Sequence, residues 1–176
     1  MEKLSMDALQ RLSVEEFKNR DKLPLVLILD NVRSGLNVGS IFRTADAFAI
    51  QKIYLCGITA QPPHREILKT ALGSTESVDW EYAENNIEAI TQLKSSGYTI
   101  IAVEQTNEKT WLHEFQPLED KQYALVLGNE VDGVDSTVLE HCDVVIEIPQ
   151  YGTKHSLNVA VAAGIVVWDF QQKMLR

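Results

Sequence analysis

The sequence lacks the features that mark several common protein classes. It holds only two cysteines among 176 residues, with no C-x-x-C pair, which argues against a disulfide framework and a structural zinc site. Its four histidines show no metal-ligand spacing, so we predict no metal. No apolar run approaches the roughly 20 residues that cross a bilayer. The first residues also lack the apolar segment of a secretory signal, and we expect a cytoplasmic protein with no membrane association.

Three well-known nucleotide and hydrolase motifs are also missing. The chain contains no G-x-G-x-x-G, no G-x-x-x-x-G-K-[ST] and no G-x-S-x-G. A nicotinamide-type Rossmann site, a P-loop and a hydrolase nucleophile elbow are therefore unsupported.

Charge is distributed unevenly along the chain, whose formal net charge is −9. Residues 1–70 carry 10 Lys/Arg and 8 Asp/Glu, residues 71–148 carry 3 and 16, and residues 149–176 carry 3 and 1. Because the acidic residues are concentrated in the middle, the two slightly basic end segments can still contact an anionic partner.

Strand-like and helix-like patterns alternate along the chain. Ser13 and Glu16 form a capping-box pattern, and Asn85 and Asp135 can each cap a later helix. Predicted strands cover 25–29, 52–58, 77–83 at an edge, 99–104, 123–128 and 144–149, and predicted helices cover 38–49, 64–72, 136–141 and 156–174. The Val/Ile-rich strands predict an α/β fold: a mostly parallel sheet with helices on both faces. We assign residues 1–23 to an N-terminal helical extension and 24–176 to one domain.

Three segments at strand ends carry candidate functional residues. In 31–48, Asn37 and Arg43 flank a predicted helix start that suits an anion, although Arg43 could equally form a structural ion pair with Asp46 or another carboxylate. In 125–134, two glycines permit close backbone approach, and Glu130 is either a site carboxylate or a helix-end partner. In 148–170, a turn precedes Ser156 and Asn158, with Ser156 a possible helix N-cap.

Together these segments resemble the three motifs of the SpoU/TrmH branch of the SPOUT methyltransferases. The first motif resembles N-x-G-x-x-x-R-T-A at 37–45, the second L-G-N-E at 127–130, and the third I-P-x-x-G-x-x-x-S-L-N-V at 148–159. The resemblance covers about residues 24–172. It implies a C-terminal deep trefoil knot, which periodicity cannot predict.

The resemblance also implies an S-adenosylmethionine-dependent RNA 2′-O-ribose methyltransferase that forms a homodimer through its C-terminal helix. The implied cofactor-binding residues are Gln105, Thr106, Gly128, Ile148 and Leu157. The implied catalytic residues are Arg43, Asn37, Glu130, Ser156 and Asn158. Candidate RNA-binding residues are Arg33, Arg43, Arg65 and Lys154, with Lys69 and His155. Because a guanidinium stays protonated in proteins, we favour phosphate binding and alkoxide stabilisation for Arg43 over a general-base role.

The substrate is less constrained. Residues 97–106 and 147–159 are similar to the catalytic domain of the eukaryotic enzyme that methylates the tRNA D-loop guanosine ribose, which favours tRNA. The alternatives are an rRNA 2′-O-methyltransferase, a catalytically idle SPOUT-fold RNA-binding protein, and a flavodoxin-like nucleotide-binding module.

Overall fold

The computed structural model describes residue 3 and residues 11–174. Within them, strands and helices alternate. The strands are β1 (Leu23–Asp30), β2 (Ile50–Cys56), β3 (Trp80–Ala83), β4 (Tyr98–Val103), β5 (Thr110–Trp111), β6 (Gln122–Leu127) and β7 (Val144–Glu147). The helices are α1 (Val14–Asn19), α2 (Gly35–Ala47), α3 (Arg65–Ala71), α4 (Ser74–Ser77), α5 (Asn86–Ser95), α6 (Ser136–Leu139) and α7 (Val159–Met174).

The strands form one sheet in the order β3-β2-β1-β6-β4-β7-β5. Every neighbouring pair is parallel. The predicted α/β fold with a mostly parallel sheet is therefore confirmed, and β3 lies at an edge as predicted. This order places the carboxyl ends of β1, β6, β4 and β7 side by side, where open parallel sheets bind ligands.

Helices cover both faces of the sheet. Leu25, Leu27 and Leu29 of β1 join one apolar cluster with residues of α2, α3 and α7. Val26 and Ile28 point the other way and join a second cluster with residues of α5 and α6. A strand buried on both faces must be apolar at every position, which explains the continuous LVLIL run.

Close packing joins α2 to α3. A Cβ built on Gly39 of α2 would lie 2.4 Å from the carbonyl oxygen of Ile67 and 2.2 Å from the hydroxyl of Thr70. Only glycine permits this approach of two helix backbones, so Gly39 fixes α3 beside the helix that carries Asn37 and Arg43.

The predicted helix caps are confirmed. Ser13 and Glu16 form the capping box of α1, whose Phe17 is buried in the main apolar cluster. Asn85 and Asp135 cap α5 and α6. The helical pieces predicted at 1–10 lie, except for residue 3, outside the described residues. The boundary between the 1–23 extension and the domain stays a prediction.

Three predicted elements begin three residues away from the position that the structure shows. Helix α2 begins at Gly35 rather than 38, because Ser34 caps it by accepting from the Asn37 N–H at 3.3 Å. Helix α7 begins at Val159 rather than 156, because the side chain of Asn158, not Ser156, accepts from the first-turn N–H groups of α7. The strand predicted at 77–83 begins only at residue 80, since 74–77 form a helical turn.

None of the helices found within residues 11–174 has both the length and the apolar character that a bilayer crossing requires.

Candidate active site

A cavity with a volume of about 550 Å³, called the main cavity below, lies at the carboxyl ends of β4, β6 and β7. Its walls are formed by residues 103–105, 127–133, 147–148, 150, 155–159 and 162. These three strands are neighbours in the sheet, so loops that are far apart in sequence meet here. The position agrees with the general rule that parallel sheets bind ligands beyond their carboxyl edge.

Two glycines shape the loop after β6. A Cβ on Gly128 would lie 2.1 Å from the carbonyl carbon of Gly133, and a Cβ on Gly133 would lie 2.2 Å from a carboxylate oxygen of Glu104. Gly133 also has a φ of +71°, which favours glycine. The backbones of Asn129 and Gly133 exchange hydrogen bonds of 2.9 and 3.0 Å, which close the loop. The close backbone approach predicted for the two glycines of 125–134 is therefore confirmed.

The carboxylate of Glu130 binds the start of α2. Its oxygens accept hydrogen bonds from the backbone N–H groups of Arg33 at 3.1 Å and Ser34 at 3.0 Å, and from the side-chain amide of Asn37 at 3.0 Å. Glu130 thus connects the loop after β6 to the loop after β1 and the first turn of α2. The structure therefore shows it as a partner of a helix end as well as a cavity-lining carboxylate.

Asn37 extends this connection to the third segment. Its side-chain oxygen accepts a hydrogen bond of 3.0 Å from the amide of Asn158, whose own oxygen caps α7. We call Asn37, Glu130 and Asn158, with the N–H groups of Arg33 and Ser34, the Glu130 cluster. Each of the three motif segments contributes one side chain to it.

The Glu130 cluster keeps its carboxylate ionised. Partial burial favours the protonated form of Glu130, but the hydrogen bonds from Asn37, from its own backbone and from Ser34 and Arg33 outweigh it. The pKa of Glu130 therefore lies below its ordinary value.

Four of the five predicted cofactor-binding residues line the cavity: Gln105, Gly128, Ile148 and Leu157. Gln105 also donates a hydrogen bond of 2.8 Å to the carbonyl of His155, which ties the loop after β4 to the loop after β7. Thr106 does not line the cavity, because its hydroxyl points to the carbonyl of Glu108 at 2.6 Å.

Among the predicted catalytic residues, Ser156 lines the same cavity as Glu130 and Asn158. Its hydroxyl makes no hydrogen bond with any described residue, so it is available to a ligand.

Arg43 lies elsewhere. It lines a separate cavity between α2 and α3, with Ser40, Lys69 and Thr70 among its neighbours. Asn37 and Arg43 are six residues apart, and at about 100° per residue they point to different sides of α2. Arg43 is exposed and makes no ion pair or hydrogen bond within residues 11–174, and the alternative partner Asp46 instead accepts from Ser77.

The other predicted RNA-binding residues are exposed. Arg33 precedes α2, Arg65 begins α3, and Lys154 lies in the loop before α7. Lys69 shares the Arg43 cavity, and His155 lines the main cavity.

Sequence reasoning missed two carboxylates in the main cavity. Glu104, at the end of β4, accepts from the N–H groups of Gln105 at 2.7 Å and Val134 at 2.9 Å. Glu147, the last residue of β7, pairs with Lys109 at 2.9 Å. Their positions at strand carboxyl ends could have identified both. In the described part of the chain, no group of three or more His, Cys, Asp or Glu side chains is arranged to hold a metal.

The sequence model of the SpoU rRNA Methylase family matches residues 24–168. The chain belongs to the SpoU rRNA methylase family. A 23S rRNA (guanosine-2′-O-)-methyltransferase from Neisseria meningitidis is 33% identical to this SpoU family member over 156 residues, which cover 89% of this chain and 61% of that protein. The chain thus spans less than two thirds of that relative's length.

Solved structures of SpoU proteins share the fold. A TrmH/SpoU tRNA modifying enzyme from A. aeolicus, 31% identical, superposes with a TM-score of 0.79 over 91% of this chain and 79% of that one. An AdoMet-bound rRNA methyltransferase from Sinorhizobium meliloti, 27% identical, gives a TM-score of 0.80 over 95% of this chain and 63% of that one. These likenesses confirm the predicted SpoU-type α/β fold and are consistent with its C-terminal trefoil knot.

Proposed function

We propose that this SpoU family member is an S-adenosylmethionine-dependent RNA 2′-O-ribose methyltransferase. One observation carries the proposal: the second and third motif segments line a single cavity, and the hydrogen bonds of the Glu130 cluster join the first segment to both of them. Structural packing alone does not require an exposed carboxylate to bind three donors from a remote loop and the helix that follows it. A reaction centre does require such fixed positioning.

The cavity suits the cofactor. Its volume of about 550 Å³ lies within the range of small-molecule sites. Leu127, Ile148 and Leu157 offer apolar surface to an adenine ring, and the bare backbone at Gly128 permits close approach. The carboxylates of Glu104 and Glu147 suit the positive charges of a sulfonium and an α-amino group.

The protein's own residues position the acceptor. The cofactor, when bound, supplies an electrophilic methyl group. The Glu130 cluster holds Asn158 and the neighbouring Ser156 at the cavity wall, where they can orient a ribose hydroxyl in line with that methyl group. Arg43 binds a phosphate of the RNA and lowers the free energy of the alkoxide that forms when the ribose hydroxyl loses its proton.

We propose a homodimer formed through α7. Val161, Ile165 and Trp168 lie on one side of this helix at i, i+4 and i+7 and are 51%, 38% and 54% exposed. An apolar stripe of this kind is typical of a subunit interface. Helix α2 packs against α7, so the Arg43 helix lies beside the proposed interface.

The separation of Arg43 from the main cavity supports a composite site, in which each cavity uses Arg43 of the partner subunit. Mixing two inactive variants, Arg43→Ala and Glu130→Gln, tests this arrangement. Random reassembly makes about half of the dimers mixed, and each mixed dimer has one intact site and one site with both substitutions. About a quarter of the wild-type activity is therefore expected to return. Activity that does not return places Arg43 and Glu130 in the same subunit's site.

We further propose tRNA as the substrate, with a D-loop guanosine favoured. The similarity of 97–106 and 147–159 to a tRNA D-loop methylating domain supports tRNA, and so does the 31% identity to the A. aeolicus tRNA modifying enzyme. Because the Neisseria meningitidis relative is a 23S rRNA methyltransferase, 23S rRNA is the alternative substrate. Arg33, Arg65 and Lys154 are the proposed phosphate contacts, because exposed cations dominate affinity for nucleic acid.

The direct test is methyl transfer from labelled S-adenosylmethionine to tRNA and rRNA in separate reactions. We expect label in tRNA, loss of transfer in Arg43→Ala, and wild-type transfer in Arg20→Ala, a matched change of an exposed arginine after α1. Label in rRNA alone would contradict the proposal that the substrate is tRNA. If the protein does not bind S-adenosylmethionine, the enzyme proposal fails and the alternative of a catalytically idle RNA-binding protein is supported.

A further inference from the structure

Two apolar side chains stand almost fully exposed at the main cavity. Tyr151 is 96% exposed in the loop between β7 and α7, and Val131 is 81% exposed in the loop after β6. Val131 lines the cavity, and Tyr151 follows the lining residue Gln150. Single exposed apolar residues are common on proteins, but these two lie on loops that line one candidate functional cavity.

The loop that carries Tyr151 is built to present side chains outward. Every residue from 151 to 158 is exposed, and the space around Gly152 is open. The loop is nevertheless held at the cavity, because Gln105 binds the carbonyl of His155 and Asn158 binds Asn37. The tyrosine ring is therefore carried on an anchored loop and packs against nothing in the described protein.

We infer that Tyr151 stacks on an unpaired base of the RNA substrate at the mouth of the cavity. This inference rests on the proposed function. A ribose that receives a methyl group must enter the cavity through this mouth, and its base or the next one must leave the RNA stack. Proteins hold such splayed bases on aromatic side chains. Lys154, three residues later in the same loop, supplies a cation for the adjoining phosphate.

The chemistry of the rim selects a base rather than an apolar peptide or a lipid. Val131 shares the cavity lining with Glu130, Asp132 and Asn158, and Tyr151 is almost fully exposed, so neither side chain belongs to a continuous apolar surface. A planar base needs only one ring face, whereas an apolar peptide needs a continuous groove. Stacking tolerates any base, so it adds affinity without fixing sequence.

The test separates stacking from catalysis. Steady-state transfer to unfractionated tRNA gives KM and kcat, calorimetry gives the Kd of S-adenosylmethionine, and a single-stranded oligonucleotide carrying 2-aminopurine reports stacking by fluorescence quenching. The variants are Tyr151→Ala, Tyr151→Phe and, as a control, Tyr82→Ala, a tyrosine that is 40% exposed on the remote edge strand β3.

We expect Tyr151→Ala to raise the KM for RNA about tenfold or more and to abolish quenching. Its kcat and its Kd for the cofactor stay within about twofold of wild type, because the ring lies outside the cavity lining. Tyr151→Phe, which keeps the ring, and Tyr82→Ala match wild type.

Two results would overturn the inference: an unchanged KM in Tyr151→Ala, or an equally large defect in Tyr151→Phe, which would assign the effect to the hydroxyl. If wild type quenches the probe in a Tyr151-dependent way but transfers no methyl group, stacking is supported and the proposed function fails.

Discussion

The Glu130 cluster predicts a measurable loss of stability in Glu130→Ala. The substitution removes the carboxylate that accepts three hydrogen bonds. Its donors, the backbone N–H groups of Arg33 and Ser34 and the side-chain amide of Asn37, then lose this acceptor. A hydrogen bond to a charged group contributes about 1.5–3 kcal/mol when it is sheltered from water. Glu130 is exposed, so solvent screens each bond, and we take about 0.5–1 kcal/mol for each. The expected loss is therefore about 2 kcal/mol.

Thermal and urea unfolding at pH 7 measure this loss. For a chain of this size, about 2 kcal/mol lowers the Tm by about 4–8 °C. Glu84→Ala is the matched control, because Glu84 is an exposed glutamate whose side chain makes no hydrogen bond or ion pair with the described residues. A double-mutant cycle with Asn37→Ala isolates the contact between the two side chains.

The effect of Glu130→Ala must also depend on pH. Because the folded-state pKa of Glu130 is lowered from its ordinary value of 4.5, its stabilisation is fully present above that value. It is lost as the pH falls through the folded-state pKa. The difference between wild type and variant therefore shrinks from pH 6 to pH 3. A difference below about 0.5 kcal/mol at pH 7, or one that grows on acidification, would refute this account of the cluster.

Three further predictions concern other parts of the chain. Gly128→Ala places a methyl group 2.1 Å from the backbone of Gly133, so it should cost about 2 kcal/mol or more in urea unfolding and abolish cofactor binding by calorimetry; unchanged cofactor binding would contradict this. Burial raises the pKa of Cys56 and Cys142 to about 12. Neither thiol should therefore react with a thiol reagent at pH 8 until the protein unfolds, and rapid labelling of the native protein would contradict this. Trp168→Glu on the exposed face of α7 should convert the proposed dimer to a monomer in light scattering at micromolar concentration, and an unchanged mass would exclude this face as the interface.

Local signals in the sequence were sufficient for much of the fold. Buried parallel strands are apolar throughout, and the capping residues Ser13, Asn85 and Asp135 mark helix starts by their own hydrogen bonds. The start of α7 was misplaced because Ser156 and Asn158 are both good N-caps. Asn158 takes that position, and its amide also binds Asn37 of a distant helix, which no local pattern records.

The candidate site was predictable only in part, for geometric reasons. Motif residues from three segments were expected together, and Asn37, Glu130 and Asn158 do meet. Arg43 shares a motif with Asn37, but helical rotation over six residues turns it to another cavity. Glu104 was overlooked because its contacts with Val134 and Gly133 exist only after β4 and β6 pair.

Identification of the methylated atom tests the central claim most directly. RNA labelled with the wild-type protein can be digested to nucleosides and analysed by mass spectrometry, with Arg43→Ala in parallel. The account predicts that label resides in a 2′-O-methylated nucleoside and disappears in the variant. A methyl group on a base, or transfer that persists in Arg43→Ala, would contradict it.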